Sequence, residues 1–218
     1  MFRVMLFTQW KWSRLIILFG TIAAFALPII SLQGAASADR SPLEAQDLLR
    51  TVQSWGTLYP VLAAALGLFV AMAAWAPDHR GRHVHALTLP LPRWRYVLLR
   101  CAGGALLLAI PAAAVFAGAL LATATATLPP GLQSYPFALA THFILATAVA
   151  YGVFFAVSAA TARTAGIILA AVGALIAVQV VAGVANVNFD IVSPLTLIVL
   201  GPAGPFAIFT GRWMLVDV

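Results

Sequence analysis

The chain has 218 residues, of which 63% are hydrophobic and 8% charged, and its mean hydropathy is +1.01. A water-soluble domain carries about 25% charged residues, so this composition excludes an ordinary globular fold and indicates an all-α integral membrane protein. The formal charge of +6 does not point to nucleic acid, because the cations flank apolar runs as topology signals do.

Residues 1–14, "MFRVMLFTQWKWSR", mix aromatic and aliphatic side chains with three cations. That mixture suits either a short interfacial amphipathic helix touching membrane lipids, with Trp10 and Trp12 as interface anchors, or a cytoplasmic extension of the first span. Residues 15–218 read as one transmembrane domain. A helix needs about 20 apolar residues to cross a bilayer, and six runs qualify, at about 15–33, 56–76, 96–122, 137–160, 165–185 and 191–211. The first run precedes "GAASADR", a pattern shared with secretory signals. From Leu15 to Leu32 it exceeds the about 7–15 residues of a signal core, so it is expected to remain as a span.

Between the first two runs, "SPLEAQDLLR" predicts a short helix with Ser41 as N-cap, Pro42 in the first position and Glu44 in the third. The second outer loop, "TATATLPPGLQSYP", is uncharged and rich in turn formers. Pro77 is expected to end the second span and Pro111 to kink the third. Pro194, Pro202 and Pro205 leave the sixth run as a span, a broken helix or a re-entrant one. Small residues recur through runs three to five, allowing helix backbones to approach closely. With the N-terminus in the cytoplasm, ten of the twelve Lys and Arg residues fall on the inner side, leaving Arg40 and Arg50 outside. The positive-inside rule then puts both termini in the cytoplasm, provided the sixth run spans.

Several chemistries lack their residues. A P-loop needs a lysine after a glycine-rich turn, and the sole lysine, Lys11, has none before it. There is no His-Glu-x-x-His and no Gly-x-Ser-x-Gly. Cys101 is the only cysteine, so neither an internal disulfide nor a cysteine metal cage is available. His79, His83 and His85 lack a convincing carboxylate or thiolate to complete a metal site, and the chain is expected to bind no metal or cofactor of its own. Ionisable residues within the spans, which a proton- or sodium-coupled carrier would use, are scarce.

The charge concentrates in "WAPDHRGRHVHALTLPLPRWRYVLLR", Trp75 to Arg100. Here a short amphipathic segment is followed by prolines, and then by Arg93, Trp94, Arg95 and Tyr96 as interface anchors. The residues alone fit either a positive-inside topology loop or a docking surface. A charged basic-Gly-basic turn, a Leu-Pro-rich stretch, and "PRWRYVLLR" entering the next span together resemble the permease subunits of ABC-2-type transporters.

That resemblance implies a polytopic bundle of about six helices with an N-terminal interfacial helix, in a bacterial inner membrane. It makes 77–95 a cytoplasmic coupling loop, with Asp78, His79, Arg80, Gly81, Arg82, His83, Val84 and Leu87 facing a separate ABC ATPase subunit. ATP and Mg would belong to that partner, and a second permease, identical or a sister, would complete the translocation path. An exporter is the family's commoner use. The sequence departs from the family in its nearest acid, Asp78 where a glutamate is common, and in a short, proline-rich region after the fifth run. A secondary carrier or channel independent of an ATPase remains an alternative, as does a membrane enzyme or an anchoring subunit.

Overall fold

The computed structural model describes residues 2–36, 50, 52, 54–80, 92–126, 132–160, 192–201, 204, 206–210 and 214–217, with nine further positions between 166 and 178. Among the described residues, four helices are long and apolar enough to cross a membrane: α1 (Phe2–Ala36), α2 (Leu58–Arg80), α3 (Arg93–Thr125) and α4 (Pro136–Ala160). Their outer surfaces are apolar, with Phe19 67%, Phe137 70% and Val153 55% exposed. Polar side chains turn inward instead, as with Gln9, Ser13, Asp78 and Arg100. This distribution suits lipid as the surrounding solvent, and the chain is an all-α membrane bundle.

The helices form a ring in the order α1, α3, α4, α2. Gln9 of α1 lies beside Gly103 of α3, and Phe25 lies beside Gly118, so these two run parallel. The pairs Gly67 with Tyr151 and His79 with Ser158 make α2 parallel to α4. Gly104 beside Tyr151 and Phe116 beside Phe137 make α3 antiparallel to α4. One end of the bundle, the basic end, therefore carries the start of α1, the end of α2, the start of α3 and the end of α4. Close approach depends on missing side chains. A Cβ at Gly118 would sit 2.3 Å from the Phe25 carbonyl oxygen, and one at Gly67 would sit 2.7 Å from the Tyr151 nitrogen. Van der Waals packing of this kind is what joins helices in lipid.

Three features differ from the sequence expectation. Residues 2–14 are the opening turns of α1, continuous with the first span and not a separate interfacial helix. Nothing in that stretch breaks a helix, and Gln9 and Ser13 are buried on the side facing the bundle. Pro77 does not end the second span, because α2 continues to Arg80. A proline in the last turn forfeits only one backbone bond, and side-chain bonds from Asp78 and His79 hold the turn in place. α3 likewise begins at Arg93 on the extended Pro92 and runs unbroken past Pro111.

The third difference concerns the chain's end. Of the sixth run, the described part is a nine-residue helix, α5 (Val192–Leu200), followed by a 3-10 turn at Ala207–Phe209. Nine residues rise about 14 Å, short of the about 30 Å hydrocarbon core. Strand β2 (Leu215–Asp217) then pairs antiparallel with β1 (Leu132–Ser134), which joins α3 to α4 at the end opposite the basic one. Phe2 and Asp217 thus lie at opposite ends of the bundle. The fifth run, 165–185, falls mostly outside the described residues. Its described positions between 166 and 178 are helical, and Ile167 is 63% exposed.

Candidate functional site

The basic end of the bundle encloses a charged cluster. Asp78, in the last turn of α2, and Arg100, two turns into α3, form an ion pair with side chains only 2% and 7% exposed. The Tyr96 hydroxyl lies 2.8 Å from both carboxylate oxygens of Asp78 and donates to that carboxylate. Arg100 is also sandwiched by rings, its guanidinium carbon 5.2 Å from the Trp75 centroid and 4.8 Å from that of Tyr96. Such cation–π contacts are worth about 2 kcal/mol or more when desolvated. A buried carboxylate and guanidinium are tolerable only as a pair with further hydrogen bonds; Tyr96 supplies one to the carboxylate, and the two aromatic rings cover the guanidinium, whose Nε is buried without a hydrogen-bond partner.

The cluster is fastened to the other two helices. Trp75 donates its indole N–H to the Phe155 carbonyl at 3.1 Å, and the two rings pack at 5.2 Å. The His79 ring nitrogen Nε2 is 3.0 Å from the Ser158 carbonyl. From α1, the Gln9 amide donates to the Arg100 carbonyl at 2.9 Å. From α4, the Tyr151 hydroxyl donates to the next carbonyl, that of Cys101, at 3.1 Å. Both approaches depend on the Gly103–Gly104 pair. A Cβ at Gly103 would meet Gln9 Oε1 at 2.5 Å, and one at Gly104 would fall on the Tyr151 hydroxyl oxygen at 2.1 Å. The first three turns of α3 are therefore gripped by α1, α2 and α4 together.

The loop residues singled out from the sequence separate into three groups. Gly81, Arg82, His83, Val84 and Leu87 lie outside the described residues, as does the side chain of Arg80, which closes α2. Asp78 and His79 belong to the helix, and the Asp78 carboxylate points into the bundle instead of outward. Of the four anchors at the start of α3, Arg93, Trp94 and Arg95 are exposed, with Arg95 stacked over Trp94 at 5.2 Å, whereas Tyr96 is buried in the cluster. Trp10 and Trp12 are both exposed on α1.

Sequence reading overlooked Arg100, Trp75, Gln9 and Tyr151 as site residues. The available signal was Asp78 itself: an acid beside five arginines at a membrane boundary implies a buried partner, and Arg100 is the arginine deepest in the following span. The cluster can hold two helices in a fixed relation, and it offers no nucleophile next to a base. Among the described residues, no three His, Cys, Asp or Glu side chains gather as metal ligands.

A second feature is an apolar groove of about 730 Å³ between α3 and α4, lined by Ala105, Ala109, Phe116, Thr141 and Tyr151 among others. Its hydroxyls are turned to backbone: Thr141 bonds the Phe137 carbonyl, Thr147 that of Phe143, and Tyr151 that of Cys101. Compared with family models, with curated proteins and with solved structures, the chain matches none.

Proposed function

We propose that this chain is the membrane-spanning permease subunit of an ABC transporter, driven by a separate ATP-hydrolysing subunit that docks on the loop between α2 and α3. The observation that carries this reading is the fastening of the loop's two ends. Asp78 precedes the loop, Tyr96 and Arg100 follow it, and the three side chains close on one another inside the bundle.

A loop held this way does not dissipate a push. Force applied to residues 81–92 reaches α2 and α3 as one body, and the Gln9 and Tyr151 bonds pass it to α1 and α4. Packed interfaces respond to such displacements by switching between discrete arrangements rather than by deforming continuously. This sequence has no P-loop lysine, so in this reading ATP hydrolysis would fall to the partner. The loop's arginines, Arg80 and Arg82, would supply the charge for docking. With a second permease, identical or a sister, the chain would surround a path for export across a bacterial inner membrane.

Photo-cross-linking in the native cells tests this reading. A benzophenone amino acid at Val84 or Leu87 is expected to capture a P-loop ATPase, and the same probe at Phe137, at the far end of the bundle, is expected not to. Capture of no ATPase from either loop position contradicts the proposal.

A further inference from the structure

The first turns of α1 stand upright against α3 and leave a groove of about 330 Å³ between the two helices, bounded by Arg3, Leu6, Phe7, Trp10 and Leu107. Arg3, Phe7 and Trp10 share one helix face at four- and three-residue spacing, with Phe7 70% exposed and Trp10 40% exposed. Leu107, buried on α3, forms the floor. The groove thus has a cation at its outer end, Leu6 and Phe7 one turn inward, and the Trp10 indole and Leu107 deeper along the helices.

Its charge is unbalanced. No Asp or Glu occurs in residues 1–38. Among the described residues the one ion pair is Arg100–Asp78, and it consumes the single carboxylate at this end inside the bundle. Lys11, Arg14, Arg93 and Arg95 are exposed as well, so the whole end presents a positive field. An anion is favoured there, and an anion with an apolar tail fits the groove's shape. A free phosphate would meet Arg3 but leave the Leu6, Phe7 and Leu107 surface bare to its neighbours. A zwitterionic lipid would cover that surface while gaining little from the field.

We propose that this groove is a binding site for one acidic phospholipid of the leaflet at the basic end, with its phosphate on Arg3, its glycerol level beside Leu6 and Phe7 and an acyl chain along Trp10 and Leu107. The site is independent of any ATPase and of the permease reading. It lies one turn from Gly103, where Gln9 grips α3, so an occupied groove holds α1 against the charged cluster.

The test uses the purified full chain in detergent, with native mass spectrometry counting bound phosphatidylglycerol or phosphatidylcholine of matched acyl chains. The expected result is at least a fivefold preference for phosphatidylglycerol, corresponding to about 1 kcal/mol for one basic residue near a membrane surface. Arg3→Gln is expected to abolish that preference, the paired control Arg93→Gln with Arg95→Gln to keep it, and an equal concentration of inorganic phosphate not to displace the lipid. A preference that survives Arg3→Gln, or that falls equally in the control, means a diffuse basic surface and overturns the site. Displacement by inorganic phosphate overturns the lipid assignment. A second measurement needs no charge variant. One equivalent of phosphatidylglycerol with brominated chains is expected to quench a tryptophan component that is missing from Trp10→Phe, and identical quenching in both proteins refutes the proposed pose.

Discussion

Replacing Asp78 with alanine removes the ion pair to Arg100 and the acceptor for the Tyr96 hydroxyl in one step. The Arg100 guanidinium stays 7% exposed, enclosed by the Trp75 and Tyr96 rings. Breaking a buried pair from one side costs about 3–5 kcal/mol, because the remaining charge has no partner and little water. For a chain of this size, about 2–4 °C per kcal/mol gives a fall in Tm of about 6–20 °C. Arg100→Met should cost a similar amount by stranding the carboxylate. The Asp78→Leu/Arg100→Met double variant strands no charge and should recover at least about 1 kcal/mol over either single variant, since apolar replacement of a whole buried pair is often close to neutral. Unfolding in mixed micelles by SDS titration, followed by tryptophan fluorescence, measures all three. Arg93→Ala serves as an exposed control and should stay within about 0.5 kcal/mol of the native chain. An Asp78→Ala variant as stable as that control, or a double variant whose loss equals the sum of the singles, would refute the cluster as a structural clamp.

Other consequences follow from the packing. Gly104→Ala puts a methyl group on the Tyr151 hydroxyl oxygen and should cost about 1–3 kcal/mol by overpacking. Adding Tyr151→Phe should restore only part of that loss, because ring carbon Cζ would still lie 2.7 Å from the added methyl, whereas Gly67→Ala, which meets the Tyr151 backbone, should have no such rescue. Gly152→Ala, with nothing within 4 Å of the added carbon, should be neutral in the same assay. In a Cys101→Ala background, Gln133→Cys with Val216→Cys places thiols on directly paired strand positions, and a disulfide should form on mild oxidation. In sealed vesicles, an impermeant thiol reagent should label Asp217→Cys from the side opposite to that which labels Arg3→Cys. Labelling of both from one side would contradict the β1–β2 pairing at the far end.

Much of the bundle was legible because the spans of a membrane helix are written in composition. The runs at 96–122 and 137–160 differ from α3 and α4 by three residues or fewer at each end. The limits that moved did so where tertiary contacts outvoted a local signal. Pro77 reads as a terminator, yet bonds made 18 to 80 residues away hold its turn in the helix. Residues 2–14 read as interfacial from their tryptophans and cations, but Gln9 bonds a carbonyl 91 residues distant and keeps the helix upright. The charged cluster was half legible. Asp78 and Tyr96 were noted on the loop, but their burial depends on Arg100 returning on another helix, and no periodicity encodes that pairing. The β1–β2 pairing joins two three-residue strands far apart in sequence, too short to leave a pattern.

The most direct test of the permease reading is affinity purification of the chain from its native cells in mild detergent, with mass spectrometry of what accompanies it. A variant carrying Arg80→Glu and Arg82→Glu serves as the control. A P-loop ATPase is expected with the native chain and is expected to be lost from the variant while the bundle stays folded. A folded, abundant chain that brings no ATPase would contradict the permease reading, and the arginines would then be topology signals and nothing more.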